Sequence, residues 1–442
     1  HGDWLAQRDT SFSELVPLGD KDNPGTLKLF ENYSSGVKTQ RDAWCFNPSP
    51  TDLANNVSRM VNFYNGEVDR FDSQHPVVDR KAREEAVDSF IDIDSTKVSW
   101  TRALKSDLVK GKHITFDRSN LTRSTYRPFT AQWLYFSRAV NEMVYQMTRL
   151  YPEATSENLL IGVSAPGNVS GFTALMTASV PELCLAAMKG GTQCYPRYVY
   201  DATEESSNDD QGRLFRGSEQ RSRSLVKKDA ITDSALAYFQ TAYPGDSITK
   251  DDLFYYTYGL LHSPDYRDRY VDNLSKELPR IPAVKGIGNF RAFVDAGRKL
   301  GDLHVGYENV EPYPISIAQG DLRLANIDDP EAFYRVEQMK FAGKRPKLDK
   351  TTVIYNANIT MTGIPLDAYE YVVNGKPALE WVMERQCVKT DKASGIVNDA
   401  NRYAIETVGD PAYPLLLFQR VITVSLETMK IVRLLPPLGD LA

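Results

Sequence analysis

The sequence predicts a mixed α/β (α+β) chain of several subdomains, with mixed sheets and helices, and three observations predict it. Residues 159–163 (Leu-Leu-Ile-Gly-Val) form a short apolar run closed by Ser164-Ala165-Pro166-Gly167, the pattern of a buried strand ending in a turn. Asn55, Asn56, Val57, Arg59, Met60, Val61 and Phe63 place apolar side chains at helical spacing behind a capping Asn. The chain has 442 residues, 42% hydrophobic and 25% charged, which suffices for two or three packed domains of roughly 100–200 residues each.

Taken in order, residues 1–30 read as a polar entry segment ending in Phe30, and 31–150 as an aromatic-rich stretch of strands and helices within a subdomain that runs to 200, with a second helix over Val98–Leu108. Residues 201–229 are poor in apolar side chains and rich in Ser, Asp, Glu and Arg, the composition of a flexible loop. Residues 230–285 read as helical. Asp251-Asp252 precede Leu253, Phe254, Tyr258 and Leu261 on one apolar face. A turn at Pro264 leads to another helix around Tyr266–Leu274, stopped by Pro279 and Pro282. Residues 286–442 read as a C-terminal α/β subdomain with a strand pair over Thr351–Asn356 and Asn358–Thr362. Its two helices are expected over Pro377–Arg385 and Leu415–Val432. No internal repeat is present.

Several function classes are excluded or disfavoured. No run of about 18 apolar residues occurs, so no membrane-spanning helix is expected. The chain opens on His1-Gly2-Asp3-Trp4 with no Met, no basic region and no apolar region, and its start is expected to be a truncation point. Cys45, Cys184, Cys194 and Cys387 match neither a zinc spacing nor a disulfide framework and read as core thiols in a reducing cytoplasm. His1, His75, His113, His262 and His304 are too dispersed to suggest a metal site, so neither metal nor cofactor is expected within the chain. A P-loop is absent. Lys285-Gly286-Ile287-Gly288-Asn289 resembles half a dinucleotide fingerprint but has Arg291 where the third Gly belongs. Asn47-Pro48-Ser49-Pro50 lacks the second Pro and the aromatic of an adenine-methyltransferase loop and reads as a turn. Gly167-Asn168-Val169-Ser170-Gly171 misplaces the Ser of a nucleophile elbow.

The positive signals are electrostatic. The chain carries −6 overall, yet Lys97–Arg149 holds ten Lys or Arg against three acids, leaving the remainder near −13. Within that stretch Arg102, Lys105, Lys110, Lys112, Arg118, Arg123 and Arg127 recur between Trp100, Phe116, Tyr126, Phe129 and Trp133. A basic stripe on aromatic packing suits a phosphate backbone, and a solvated basic face is the plain alternative. Tyr33–Trp44 adds Lys38 and Arg41 around a flexible Gly36, a pattern open to guanine edges or phosphate and equally to a surface hairpin.

The long motifs carry a resemblance. Gly2-Asp3-Trp4-Leu5 with Gln7-Arg8, Pro17–Lys21, Gly36–Thr39 through Arg41–Trp44, and Tyr126–Phe129 through Trp133–Phe136 resemble the C-terminal region of type ISP restriction-modification enzymes. So do Tyr255–Tyr266, Leu278–Pro282, Asn374–Trp381 and Ser394–Asn401. The resemblance spans nearly the whole chain, and the Gly36–Trp44 stretch is also similar to the start of the recognition domain in single-chain type II restriction-methylation enzymes. It implies a parent with nuclease, helicase-like motor and adenine-methyltransferase parts, using S-adenosylmethionine, ATP and Mg. For this chain it implies a target-recognition region, centred on 31–200, that grips double-stranded DNA beside the methyltransferase and motor domains. Lys38 and Arg41 are expected near the groove, and Arg102, Lys105, Lys110, Lys112, Arg118, Arg123 and Arg127 on phosphates. Two other readings stay open: a free-standing hydrolase with a scattered-residue site, kept open by the many carboxylates and the Ser164–Gly171 loop, and a docking or coupling role for 286–442.

Overall fold

The structure, a computed structural model, describes residues 8–23, 25–76, 79–153, 155–202, 225–322 and 327–439, and it is α+β. From the N-terminus, β1 (Val16–Pro17) and β2 (Ser34–Ser35) precede α1 (Asp42–Cys45), β3 (Phe46–Asn47) and the long α2 (Pro50–Gln74). Ser49 caps α2 by accepting from the Asp52 amide at 3.0 Å, and Pro50 occupies the first turn, where its missing N–H costs nothing. Leu53, Val57, Met60, Tyr64, Val68 and Phe71 bury one stripe of it. α3 (Arg80–Phe90) and α4 (Arg102–Val109) pack against this helix. Arg83, fully buried, joins all three: its guanidinium pairs with Asp72 and donates to the carbonyls of His75, Val109 (2.7 Å) and Leu108 (3.1 Å).

β4 (Leu121–Arg127) and β5 (Thr130–Tyr135) form a hairpin, followed by α5 (Met147–Leu150), β6 (Leu160–Ser164), β7 (Ala174–Thr177), β8 (Val180–Pro181) and β9 (Thr192–Pro196). Two four-stranded sheets result, ordered β3-β5-β4-β8 and β2-β9-β6-β7. Every residue of β6 is buried, which is why its sequence is a continuous apolar run rather than an alternation. β10 (Tyr198–Ala202) and β11 (Leu225–Asp229) pair antiparallel, while the middle of the expected 201–229 loop lies outside the described residues. α6 (Asp233–Ala242), α7 (Lys250–Leu260), α8 (Pro264–Arg269) and α9 (Val271–Leu274) lead to β12 (Arg280–Ile281), which pairs with β1. The entry segment is thereby drawn in: Phe12, Val16 and Leu18 are core residues.

α10 (Ile287–Val305) is the longest helix between α2 and the C-terminal helix and serves two cores. Phe290, Phe293, Val294 and Leu300 belong to the first, while Leu303 and the following Tyr307 pack in the second. That second core gathers β13 (Ser316–Ile317), α11 (Pro330–Tyr334), β14 (Lys340–Lys344), β15 (Lys347–Ile354) and β16 (Thr360–Thr362) with the hairpin β17 (Val372–Val373)/β18 (Lys376–Pro377) and α12 (Ala378–Arg385), after which β19 (Val388–Thr390) and β20 (Val397–Asp399) pair as a separate hairpin. α13 (Ala400–Tyr403) and α14 (Tyr413–Arg433) close the chain. α10 crosses α7 at glycines. A Cβ on Gly297 would stand 1.9 Å from the Tyr255 carbonyl oxygen, and one on Gly259 would stand 2.1 Å from that of Phe293.

Several sequence expectations need correcting. The helix expected at Val98 starts at Arg102, behind the Thr101 cap. Pro264 is not a turn but the first residue of α8, capped by Ser263, and the helix expected over Tyr266–Leu274 breaks at Tyr270 into α8 and α9. Beyond residue 286 there are more helices than two, α10 chief among them. Lys285–Asn289 is the start of that helix, with Gly286 at its N-cap.

His304 of α10 ties three helices together: its ring nitrogens meet Tyr258 Oη of α7 at 2.6 Å and Thr428 Oγ1 of α14 at 2.9 Å. Burial, with Arg267 nearby, pulls its pKa from 6.5 down to about 3. As pH falls below 6.5 the unfolded chain takes up a proton that the folded chain refuses until about 3, so stability drops by about 1.4 kcal/mol per pH unit across that window. The His304→Gln variant is therefore expected to show a shallower loss of denaturation free energy between pH 6.5 and 4. Equal slopes for the two proteins would rule this origin out.

Candidate nucleic-acid interface

The segment expected to read DNA is built on close backbone approach. Gly36 lies so near the backbone of residue 182 that a Cβ would meet the Glu182 carbonyl oxygen at 2.6 Å. Lys38 next exchanges two backbone hydrogen bonds of 2.9 Å with Met143. Its side chain is half-buried, and Met143 and Tyr145 are exposed nearby. Arg41 turns inward: it is 4% exposed, its Nη2 donates to Thr101 Oγ1 at 2.6 Å, and burial lowers its pKa. Thr101 caps α4, so Arg41 fixes the start of the helix that bears the next cations.

Those cations stand outside. Arg102, Lys110, Lys112, Arg118 and Arg123 are exposed, and Lys105 is half-buried. Lys105 pairs with Asp88 at 2.7 Å, Lys110 and Lys112 share Asp107 at 3.7 and 3.3 Å, and Arg123 pairs with Glu308 at 3.2 Å. Such exposed pairs are worth about 0–1 kcal/mol each, so exchanging an acid for a phosphate costs little. Arg102 and Arg118 make no ion pair among the described residues.

Arg127, at the end of β4, is buried with Glu182, bonds its carboxylate through Nη1 and lies 3.7 Å from Asp42. Burial raises the Glu182 carboxyl while Arg127 pulls it the other way. Arg41 and Arg127 thus differ from the other sequence candidates. The structure gives them partners inside the protein, and they position α4, α1 and β4 instead of facing solvent. Lys38, Arg41 and the α4 cations fall together through the 38/143 pairing and the Arg41–Thr101 bond, whereas Arg118, Arg123 and Arg127 follow the path of β4.

Sequence reasoning missed one group. Lys340 and Lys344 on β14, Lys347 on β15 and Arg345 in the turn between them are all exposed, and among the described residues none has an ion pair. The run Lys340–Lys350 was visible as five cations against the single Asp349, but it lacks the interleaved aromatics sought at 97–149.

A cavity of about 170 Å³ opens between Asp42, Phe46, Tyr126 and Gln132 on one side and Glu384, Arg385, Lys389 and Asp391 on the other. Glu384 and Asp391 are both held below the usual carboxylate range, Glu384 by Lys376 and Arg385 despite burial, Asp391 by hydrogen bonds from Ser394. A general acid needs the opposite shift. Ser164 Oγ accepts from the Thr173 amide at 3.0 Å, and the Ser170 amide reaches Asn168 at 3.5 Å, with no His joined to either hydroxyl among the described residues. The described residues contain no group of three or more His, Cys, Asp or Glu placed to hold a metal, and no helix among them is long and apolar enough to cross a membrane.

Comparison with known proteins gives concordant matches. Residues 28–417 match the family described as the type ISP C-terminal specificity domain. The chain is similar, at 34% identity and a TM-score of 0.79, to a nuclease-deletion mutant of the type ISP restriction-modification enzyme LlaGI in complex with a DNA substrate mimic, with 100% of this chain and 35% of that one covered. It is similar at 34% identity and a TM-score of 0.78 to the ATP-dependent type ISP enzyme LlaBIII bound to DNA, over 98% of this chain and 25% of that one. A DrdV–DNA complex matches at 31% identity and a TM-score of 0.76, over 98% of this chain and 39% of that one. The chain therefore spans about a quarter to two fifths of the length of these structures. No curated protein matches it.

Proposed function

The chain belongs to the family of type ISP C-terminal specificity domains, and on that premise we propose that it is a DNA-recognition module that grips duplex DNA and carries no catalytic centre of its own. The observation that carries this reading is the set of exposed cations on α4 and along the approach to β4: Arg102, Lys110, Lys112, Arg118 and Arg123, held by weak surface pairs or by none. The similar structures with DNA support it. Lys38 stands beside this group. Arg41 and Arg127 act from inside, as supports for the elements that present it.

The further partners we propose are a methyltransferase core and motor domains in the same polypeptide, which would bring S-adenosylmethionine, ATP and Mg to the assembly. We also propose the division into an entry segment (1–30), a recognition subdomain (31–200), a connecting segment (201–229) whose two ends pair as β10 and β11, a helical subdomain (230–285) and a C-terminal subdomain (286–442), the last with a docking role besides recognition. The four free thiols suit a reducing compartment, the cytoplasm. The hydrolase reading has no support in the cavity described above.

Binding of a fluorescent duplex as a function of salt tests the proposal. Affinity should fall steeply as salt rises, and the variant Arg102→Ala, Arg118→Ala, Arg123→Ala should flatten the log–log slope by about 0.9 for each phosphate no longer neutralised. An unchanged slope would remove these three residues from the interface.

A further inference from the structure

The hairpin formed by β14 and β15 is unlike the rest of its sheet. The strand order is β13-β16-β15-β14, which makes β14 an edge. β16 pairs with β15 only at Val353 and Ile354, so residues 342–349 continue past the sheet as a two-stranded ribbon, with Ala342 opposite Asp349 and Lys344 opposite Lys347. Lys350–Thr352 bulge out of the register, so at about 3.3 Å per residue the three steps from Phe341, opposite Val353, to Lys344 reach roughly 10 Å beyond the β16 pairing. The root is anchored: Val353 is buried in the second core, and Lys350 pairs with Glu380 at 2.9 Å. The outer part, residues 343–349, is exposed throughout.

Nothing apolar explains a ribbon left in solvent, and its charge runs against that of the molecule. A chain with six more acids than bases leaves Lys340, Lys344, Arg345 and Lys347 without an ion pair among the described residues. The single acid nearby, Asp349, is occupied with Thr351 through its amide (2.9 Å) and hydroxyl (2.6 Å). Leu348 is 41% exposed between the tip cations and that acid. Bare cations at an edge also discourage pairing with another strand, but that role does not require three of them at the tip.

We propose that this hairpin is a second DNA-gripping element, separate in sequence from the 102–123 cations. Its tip, Lys344, Arg345 and Lys347, enters or straddles a groove of the duplex and contacts phosphates on its rims. A B-DNA major groove about 12 Å wide and 8.5 Å deep admits a two-stranded ribbon, and this one is long enough to reach its floor. The proposal rests on the reading of the chain as a DNA-recognition module and adds the element that does part of the gripping.

The test uses the 442-residue chain, a fluorescent duplex of about 30 base pairs and a salt series, with wild type compared to Lys344→Ala, Arg345→Ala, Lys347→Ala. All three side chains are exposed and without ion pairs among the described residues, so the variant should melt with the wild type. It should lose affinity on the order of 10²-fold near 0.1 M salt, with a slope less steep by about 2–3. The charge-preserving Lys344→Arg, Lys347→Arg variant should retain both. Steep wild-type binding with an unaltered slope in the triple variant would overturn the hairpin's role and leave the DNA reading standing. That result would turn attention to an acidic protein surface as the tip's partner. A wild type showing no salt-dependent binding would overturn the DNA reading and the hairpin's role with it.

Discussion

Replacing Gly297 with Ala is expected to cost about 3 kcal/mol, a large share of the roughly 5–15 kcal/mol that separates a folded domain from its unfolded chain. On helix propensity alone the change should stabilise by about 1 kcal/mol, because Gly is the poorer helix former. Packing decides otherwise. The new Cβ would stand 1.9 Å from the Tyr255 carbonyl oxygen and 2.9 Å from the Gly259 amide nitrogen, both backbone atoms of α7. No rotamer change can relieve a backbone clash, so α7 and α10 must separate along their whole crossing, at the upper end of what overpacking costs. Phe290, Phe293 and Leu300 of α10 would lose their fit in the first core, and His304 its hydrogen bonds to Tyr258 and Thr428. Gly66→Ala is the control. Gly66 lies exposed within α2 with nothing within 4 Å of an added Cβ, so that change should raise stability by up to about 1 kcal/mol. Thermal melts of both variants, read by circular dichroism, decide the matter. Equal melting temperatures would mean that the two helices are not held as tightly as the glycines indicate.

The second large effect is expected at Arg83. Removing one partner of a buried ion pair costs about 3–5 kcal/mol, because the remaining groups are left without compensation. Arg83→Met keeps much of the length of the side chain and its packing but deletes the guanidinium. Asp72 then loses its cation, and the carbonyls of His75, Leu108 and Val109 lose their donor. Leu108 and Val109 end α4, where a positive charge also favours the helix dipole. The expected outcome is therefore a large drop in stability together with faster amide exchange over 102–109. Since α4 carries Arg102 and Lys105, DNA affinity should fall even though Arg83 touches no solvent. A loss below about 1 kcal/mol would show that water replaces the guanidinium cheaply.

Local features were legible in the sequence wherever local chemistry decides the structure. The run 159–163 became β6, and the Thr351–Thr362 pair became the end of β15 with β16. The helix expected over Leu415–Val432 is α14, and the one expected behind Asn374-Gly375 is α12. α10 was missed because Gly297 and Gly301 look like helix breakers. They serve instead as points of close approach, Gly297 for α7 and Gly301 for Met176 and Tyr255. The candidate interface was legible as a charge excess, not as a geometry. Arg41 and Arg127 carry the same charge as Arg102 and Arg118, and only their partners Thr101 and Glu182, 60 and 55 residues away, turn them inward. The tip of the β14–β15 hairpin was overlooked because register, not composition, makes it protrude.

The pairing of β1 with β12 has a mechanical consequence. Residues 16–18 lie between two partners: Val16 and Pro17 face Ile281 and Arg280, the Leu18 amide reaches the Pro279 carbonyl, and Pro17 and Leu18 accept from Leu29 and Phe30. Arg280 adds bonds of 3.2 Å to the carbonyls of Ser13 and Leu15. Tension applied along this strand loads those bonds side by side, in shear, instead of peeling them one at a time. The stretch is thus a tow point. A tug there passes to β12, and within a few residues to α10, the shaft on which both cores are mounted.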